Sequence, residues 1–381
     1  MRKLVMAMAI ALGFSGLLGV RADGEKLIGR AVLPAQTLAS GPKSGTAYNG
    51  KTINGVALPF DTQPVGNVSA VLHGDGDYWL LLTGRGYQSA GQSADFQVRL
   101  YTVTVSVCGS NCSGDQGTVS VNDWWTLADP GKKFPKALAN ANQPAREFTG
   151  ADLDPQGLAR ASDGSFWIAD AAGLVLLHFG AAPQTNGQSK ILPLIEPPIP
   201  LGSGALQGMS GLPDGGSLVA AMLAGGQDAG VRSFDLKSKG FVERKPFHMD
   251  DPAHVIGGLT AVSNDQALVI EQDKQQGAAA KFKRIFLFNM ASGAKAPLVD
   301  LLNLPDPGNI SAQQAFGQSA SGFGIGGMFK FPYADISSVY PVDKNTLLVV
   351  NNNHVPFDTG RTANVAEDTD FILVGLPAPL P

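Results

Sequence analysis

Acidic and amide side chains recur at matching places along this chain. Carboxylates brought together can hold hard cations, and single ones can move protons. The segment Asp152-Leu153-Asp154-Pro155-Gln156-Gly157, with Asp163 in the twelfth place, echoes a calcium-binding loop. It departs at the fifth place, where Gln156 stands for Asp or Asn, and at the twelfth, where the bidentate Glu is missing. It reads either as a turn entering a strand or as part of a metal or substrate site. Asp170, Asp273, Asn351 and Asn353 close strand-like runs. Asp and Asn there form turns through local backbone bonds, but their repetition also fits a shared pocket. Arg85 and Arg361 offer planar forks for an anionic group, or for a carboxylate in a surface ion pair. His354 adjoins Asn353 and suits either general acid–base work or packing in a loop.

Other chemistries find no support. Gly208-Met209-Ser210-Gly211 runs into Leu212, so it is no nucleophile elbow. The five histidines, at 73, 178, 248, 254 and 354, lack the His-x-x-x-His spacing of a zinc helix. Gly322-Phe323-Gly324-Ile325-Gly326-Gly327 loosely fits a dinucleotide fingerprint, but no strand leads in and no helix follows, so it reads as a loop. Cys108 and Cys112 lie four apart across a Gly/Ser/Asn turn. A small loop disulfide is the expected reading, and half a metal site is its rival. Zinc usually takes four ligands, and no second pair is near.

Behind these residues stand many short apolar runs. The 381 residues include 47 Gly and 25 Pro, with 44% hydrophobic and 16% charged residues. Such a chain has too much apolar content for disorder and too little charge for a coiled coil. Arg2 and Lys3, an uncharged run over 4–20, and Val20-Arg21-Ala22 resemble an export signal, residues 1–22. An uncleaved anchor is the alternative, because the run just reaches spanning length. Cleavage predicts a periplasmic or extracellular protein with one domain over residues 23–381 and no membrane span. It also moves the net charge from −4 to −7. Without a basic stripe, nucleic acid is excluded as a partner. A monomer is expected.

A repeat organises the runs. Each unit has an apolar segment, a turn, a second apolar segment ending in polar residues, a loop and a third segment. The turns fall at Asp75-Gly76, Asp163-Gly164, Asp214-Gly215, Asn264-Asp265 and Lys344-Asn345. Unit two, for example, runs 152–161, 166–173 and 174–179. Fourth strands are predicted at 118–127 and 296–304. The repeat length matches four-stranded blades of a β-propeller, an all-β fold. Five units are visible. The last lacks a fourth strand, which 26–33 (KLIGRAVL) supplies if the N-terminus closes the ring. The stretches 41–63, 130–146 and 305–328 read as insertions or loops. A β-sandwich is the alternative, disfavoured by size and regularity.

The units also carry longer matching words: FTGADLDPQGLARASDGSFWIAD (148–170), LQGMSGLPDGGSL (206–218), LVIEQDKQQGAAAKFKRIFLF (268–288) and the tail from 335 to 376. Through these the chain resembles the phytase-like family described as "esterase-like activity of phytase". The resemblance implies a propeller, with six blades favoured. It also implies a metal-dependent hydrolase of phosphate esters or related esters, with Ca²⁺ as the cofactor. On that pattern Asp152, Asp154, Asp170, Glu271 and Asp273 are the candidate metal ligands. Gln156, Gln207, Asn351 and Asn353 are candidate contacts to a small anionic or ester ligand. Arg85, Arg361 and His354 are candidate catalytic groups. Several acids of the family pattern are absent: Gln156, Gln207, Ala171 and Ser337 stand where acids are expected. Gln keeps an acceptor oxygen but loses the charge. A catalytically weak or inactive propeller that binds a ligand is therefore the alternative.

Overall fold

The computed structural model describes residues 24–182 and 190–381. The expected export signal, 1–22, lies outside the described residues. Among the described residues, no helix is long and apolar enough to cross a membrane. The structure is mostly β, and among the described residues five four-stranded units form its frame.

Strand β1 (Lys26–Leu33) comes first in the chain and joins the last unit. Unit one is β2 (Val68–His73), β3 (Tyr78–Thr83), β4 (Arg99–Ser106) and β5 (Thr118–Ala128). Unit two is β6 (Pro155–Arg160), β7 (Phe166–Asp170), β8 (Val175–Phe179) and β9 (Ile199–Pro200). Unit three is β10 (Ala205–Gly211), β11 (Ser217–Leu223), β12 (Asp228–Asp235) and β13 (Phe241–Glu243). Unit four is β14 (Val255–Ala261), β15 (Gln266–Gln272), β16 (Lys283–Asn289) and β17 (Lys295–Asp300). Unit five is β18 (Asp335–Asp343), β19 (Thr346–Asn352) and β20 (Thr369–Gly375), completed by β1. Each unit is an antiparallel meander. The first strands β2, β6, β10, β14 and β18 each contact the next, and β18 contacts β2, so they form a closed ring.

The strand sequences explain this arrangement. β3 reads YWLLLT, with no polar alternation, because both of its faces are covered. Successive side chains point to opposite faces. Trp79 and Leu81 pack with Leu348 and Val350 of unit five, while Leu80 and Leu82 pack with Leu158 and Ile168 of unit two. The same division recurs around the ring. Units two and three share Trp167, Met209 and Phe234; units three and four share Val219, Leu259 and Phe286; units four and five share Ile270, Ile285, Leu347 and Ile372. Every gap between units is thus its own apolar core. Truncating one such Leu or Ile to Ala costs about 2–5 kcal/mol.

β1 pairs with β20 from Lys26↔Gly375 to Leu33↔Thr369, as the sequence predicts for closure. Arg30 fixes this seam. Its Nη2 lies 2.8 Å from Asp370 Oδ1, and its Nη1 donates to the carbonyls of Ser311 and Ser319, each at 2.8 Å. Both side chains are buried. Cys108 and Cys112 are bonded to each other, with Cα atoms 5.1 Å apart. Cys108 exchanges two backbone hydrogen bonds with Arg30, so the disulfide loop lies against the closing strand.

Candidate functional site

The N-terminal ends of first strands and the C-terminal ends of second strands meet on one face. There a cleft of about 380 Å³ opens between units five, one and two. Asn67 precedes β2, Arg85 follows β3, Asp154 precedes β6, Gln156 sits on β6, and Asn352 and His354 come from the end of β19. The local sequence makes this possible. Gly86 has φ 93°, and a Cβ there would sit 2.4 Å from the Phe96 ring. A Cβ on Gly150 would sit 1.6 Å from the carbonyl oxygen of Arg85. The backbone bearing Arg85 can take its place only between these two glycines.

Arg85 Nη2 lies 3.0 Å from Asp154 Oδ2, and Gln156 Nε2 donates to Asp154 Oδ1 at 3.3 Å. Burial raises the pKa of Asp154 and outweighs the opposing pull of Arg85. His354 is held on two sides, by Asp358 through Nδ1 at 2.8 Å and by Asp335 near Nε2 at 3.4 Å. Burial disfavours its charge, but the two carboxylates prevail and push its pKa up to about 10. It stands as an imidazolium at neutral pH, which makes it a poor base and a second cation beside Arg85. The cleft's charges nearly balance, so recognition there rests on directed hydrogen bonds more than on net field.

Two groups in this cleft lack partners. Among the described residues, both atoms of the Asn67 amide, Nδ2 and Oδ1, are buried without a hydrogen bond, and so is Arg85 Nε. Asn67 is only 1% exposed. It also holds φ 54°, in the left-handed region. Asn353 fixes that conformation by accepting from the Asn67 N–H at 2.9 Å. A desolvated polar group without a partner costs about 1–3 kcal/mol. Three such atoms, two on Asn67 and one on Arg85, belong to residues lining this one cleft.

Of the residues singled out from sequence, the fold brings Arg85, Asp154, Gln156 and His354 into this cleft and leaves the rest elsewhere. Arg361 lies in the seam, where its Nη2 meets Asp370 Oδ2 at 3.0 Å and its Nε donates to Tyr333 Oη at 2.9 Å. Asn351 and Asn353 are fully buried with both amide ends engaged, Asn351 to Glu367 and Asp370, Asn353 to Asn67 and Glu367. Side chains alternate along a strand, so the cleft receives Asn352, which sequence reasoning passed over. Gln207 bridges β10 and β14, donating to the Leu206 carbonyl at 3.2 Å and accepting from the Ile256 N–H at 3.3 Å.

The five candidate metal ligands do not converge. Asp152 accepts from the N–H groups of Ala139 and Thr149 at 2.8 and 2.9 Å. Asp170 accepts from the N–H groups of Asp154 and Gly173, each at 2.6 Å. Glu271 is fully buried and holds Asp250 N–H, His254 Nδ1 and Lys295 Nζ at 2.6 to 2.9 Å. Asp273 caps the N–H groups of Lys281 and Phe282 and pairs with Lys283. Only Asp154 keeps an oxygen toward the cleft. Among the described residues, no group of three or more His, Cys, Asp or Glu could hold one metal ion. The donor set does not fit a calcium centre, because four of its five carboxylates are saturated by separate local partners.

One constellation escaped the sequence reading. Ser165 Oγ lies 2.9 Å from His178 Nε2, and His178 Nδ1 lies 2.8 Å from Glu196 Oε1. These spacings match a nucleophile, a base and an orienting acid. Ser165 is 4% exposed, however, and its hydroxyl also bonds Asp163 Oδ1 at 2.5 Å. Asp163 takes the N–H of Ser165 as well. The chain of bonds pins the β6–β7 turn; it does not present a nucleophile.

A closed ring of four-stranded antiparallel units with a polar cleft at one end defines an all-β scaffold that carries its site on strand ends and loops. The family model "Phytase-like: Esterase-like activity of phytase" matches residues 63–358. The chain belongs to that family. A comparison with curated proteins found no match. Among solved structures, the chain is similar to a Kuenenia stuttgartiensis hydrazine synthase at 12% identity and a TM-score of 0.37, over 84% of this chain and 66% of that one. It is likewise similar to YCF48 bound to D1 peptide at 10% identity and a TM-score of 0.36, over 84% and 67% of the two chains. This chain spans just under two thirds of the hydrazine synthase chain.

Proposed function

We propose that this chain is an exported five-bladed propeller that binds a small phosphate ester or related ester in the cleft of Asn67, Arg85 and His354. The blade count is supported by five units whose first strands make a closed ring. The ligand reading is carried by one observation: the unpaired amide of Asn67 and the unpaired Nε of Arg85 line the same cleft. An ester oxygen accepts from the guanidinium and the amide N–H, and a hydroxyl or amide of the ligand donates to Asn67 Oδ1. Binding does not call on a metal, since the acids that would hold one are engaged elsewhere.

Hydrolysis is the second reading, favoured by membership in a family named for esterase-like activity. In this chain it would fall to Asp154, whose raised pKa brings it nearer the range where a carboxylate exchanges protons with a bound water. Calorimetric titration with p-nitrophenyl phosphate, followed by turnover of that ester and of p-nitrophenyl acetate with EDTA or Ca²⁺, tests both readings. Binding without turnover supports the first alone. Turnover lost in Asp154→Asn with binding kept supports the second. Absence of both in folded protein refutes the two together.

A further inference from the structure

A second concave site lies at the opposite end of the strands. It is a groove of about 330 Å³ between units one and two, reached from the turns at Asp75 and Gly164. Tyr78 supplies partly exposed aromatic surface beside the buried edges of Trp125 and Phe166, and Asp75, Asn122 and Arg160 supply polar groups. Trp125 is 9% exposed, and its indole N–H has no hydrogen-bond partner among the described residues. Buried indole N–H groups normally find an acceptor. Arg160 pairs with Asp75 at 2.8 Å and lies 6.0 Å from the centre of the Phe166 ring.

The lining chooses among ligands. Asp75 is paired with Arg160 and Asp123 with Lys190, so the charges around the groove cancel and it draws neither an anion nor a cation. A purely apolar molecule would leave the Trp125 N–H unpaired. A neutral ring with an apolar C–H face and many hydroxyls answers every group, with a hydroxyl oxygen accepting from Trp125 and a hydroxyl donating to Asp75. We infer that this groove is a binding site for a neutral saccharide ring. It shares no lining residue with the cleft and does not depend on the function assigned there.

The test uses the protein with three probes: methyl β-glucoside, N-acetylglucosamine and cellobiose. Saturation-transfer NMR and tryptophan fluorescence would read binding. At least one sugar is expected to bind. Trp125→Phe keeps the ring but removes the donor, and is expected to weaken binding about tenfold, the effect of one hydrogen bond. Arg160→Ala, at a half-exposed site, is expected to weaken it as well, and Arg85→Ala to leave it unchanged. No signal from any of the three sugars with folded protein would overturn the assignment. So would binding that Trp125→Phe and Arg160→Ala both leave intact, or that Arg85→Ala removes.

Discussion

Arg85 and Arg361 are both guanidinium groups set beside aspartates, and sequence alone gives them the same candidate role. Their surroundings separate them. Arg361 is satisfied on every side by Asp370, Tyr333 and the carbonyls of Phe323 and Lys330. Its neighbour Arg30 is equally saturated. Arg85 meets one carboxylate and keeps Nε unpaired, beside an Asn67 amide unpaired at both ends. A closed network joins two strands and fixes the ring. An open one leaves donors and an acceptor that no described residue engages. Hydrogen-bond bookkeeping thus separates two arginines that residue type does not, and it marks Arg85 only together with its place in the cleft, since Arg99 also has unpaired Nε and Nη1 but does not line it.

The largest effect should come from breaking the closed network. Asp370→Ala leaves Arg30 and Arg361 buried without their shared partner and should lower stability by about 3–5 kcal/mol in urea unfolding. Arg85→Ala should lower it by less than about 1 kcal/mol, since its bridge is partly open to solvent. Equal losses would erase the distinction between the two regions. Next in size, Arg85→Ala should weaken p-nitrophenyl phosphate binding roughly 10- to 100-fold, the range for a hydrogen bond to a charged group.

Asn67→Gly sharpens the comparison further. Glycine accepts φ 54° freely and removes two unpaired polar atoms. Thermal unfolding should show stability unchanged or raised by up to about 1 kcal/mol, while affinity falls about tenfold. A loss of stability together with full affinity would mean that the amide serves the fold. The smallest effect concerns pH. The His354 pKa is raised to about 10, so its contribution to stability is complete below the ordinary histidine range and fades as pH rises toward 10. His354→Gln should flatten the melting temperature against pH across that window, lowering it most at pH 6 and least near pH 10.

Much of the fold was legible because strands buried on both faces leave unbroken apolar runs, and Asp-Gly turns mark their joints. Gly76, Gly164 and Gly215 all take positive φ, as those turns require. The closing strand was legible as an apolar segment without a unit. The site was legible only in part. Arg85, Asp154, Gln156 and His354 were found because strand-end polar residues converge in such a ring. Asn351 and Asn353 were chosen over Asn352 because three consecutive asparagines do not announce which one faces the cleft. Glu271 and Asp273 resembled ligands because family position says nothing about the lysines, histidine and backbone N–H groups that surround them. Asn67 carried no sequence signal, since an unpaired amide is a property of its neighbours.

The most direct test follows the side-chain nitrogens themselves. In ¹⁵N-resolved NMR of the protein with EDTA present, p-nitrophenyl phosphate should shift the Asn67 Nδ2 and Arg85 Nε resonances together, saturably, and leave Arg361 Nε in place. Shifts at Arg361 with Asn67 and Arg85 unmoved, or no shift anywhere in the folded protein, would contradict the account.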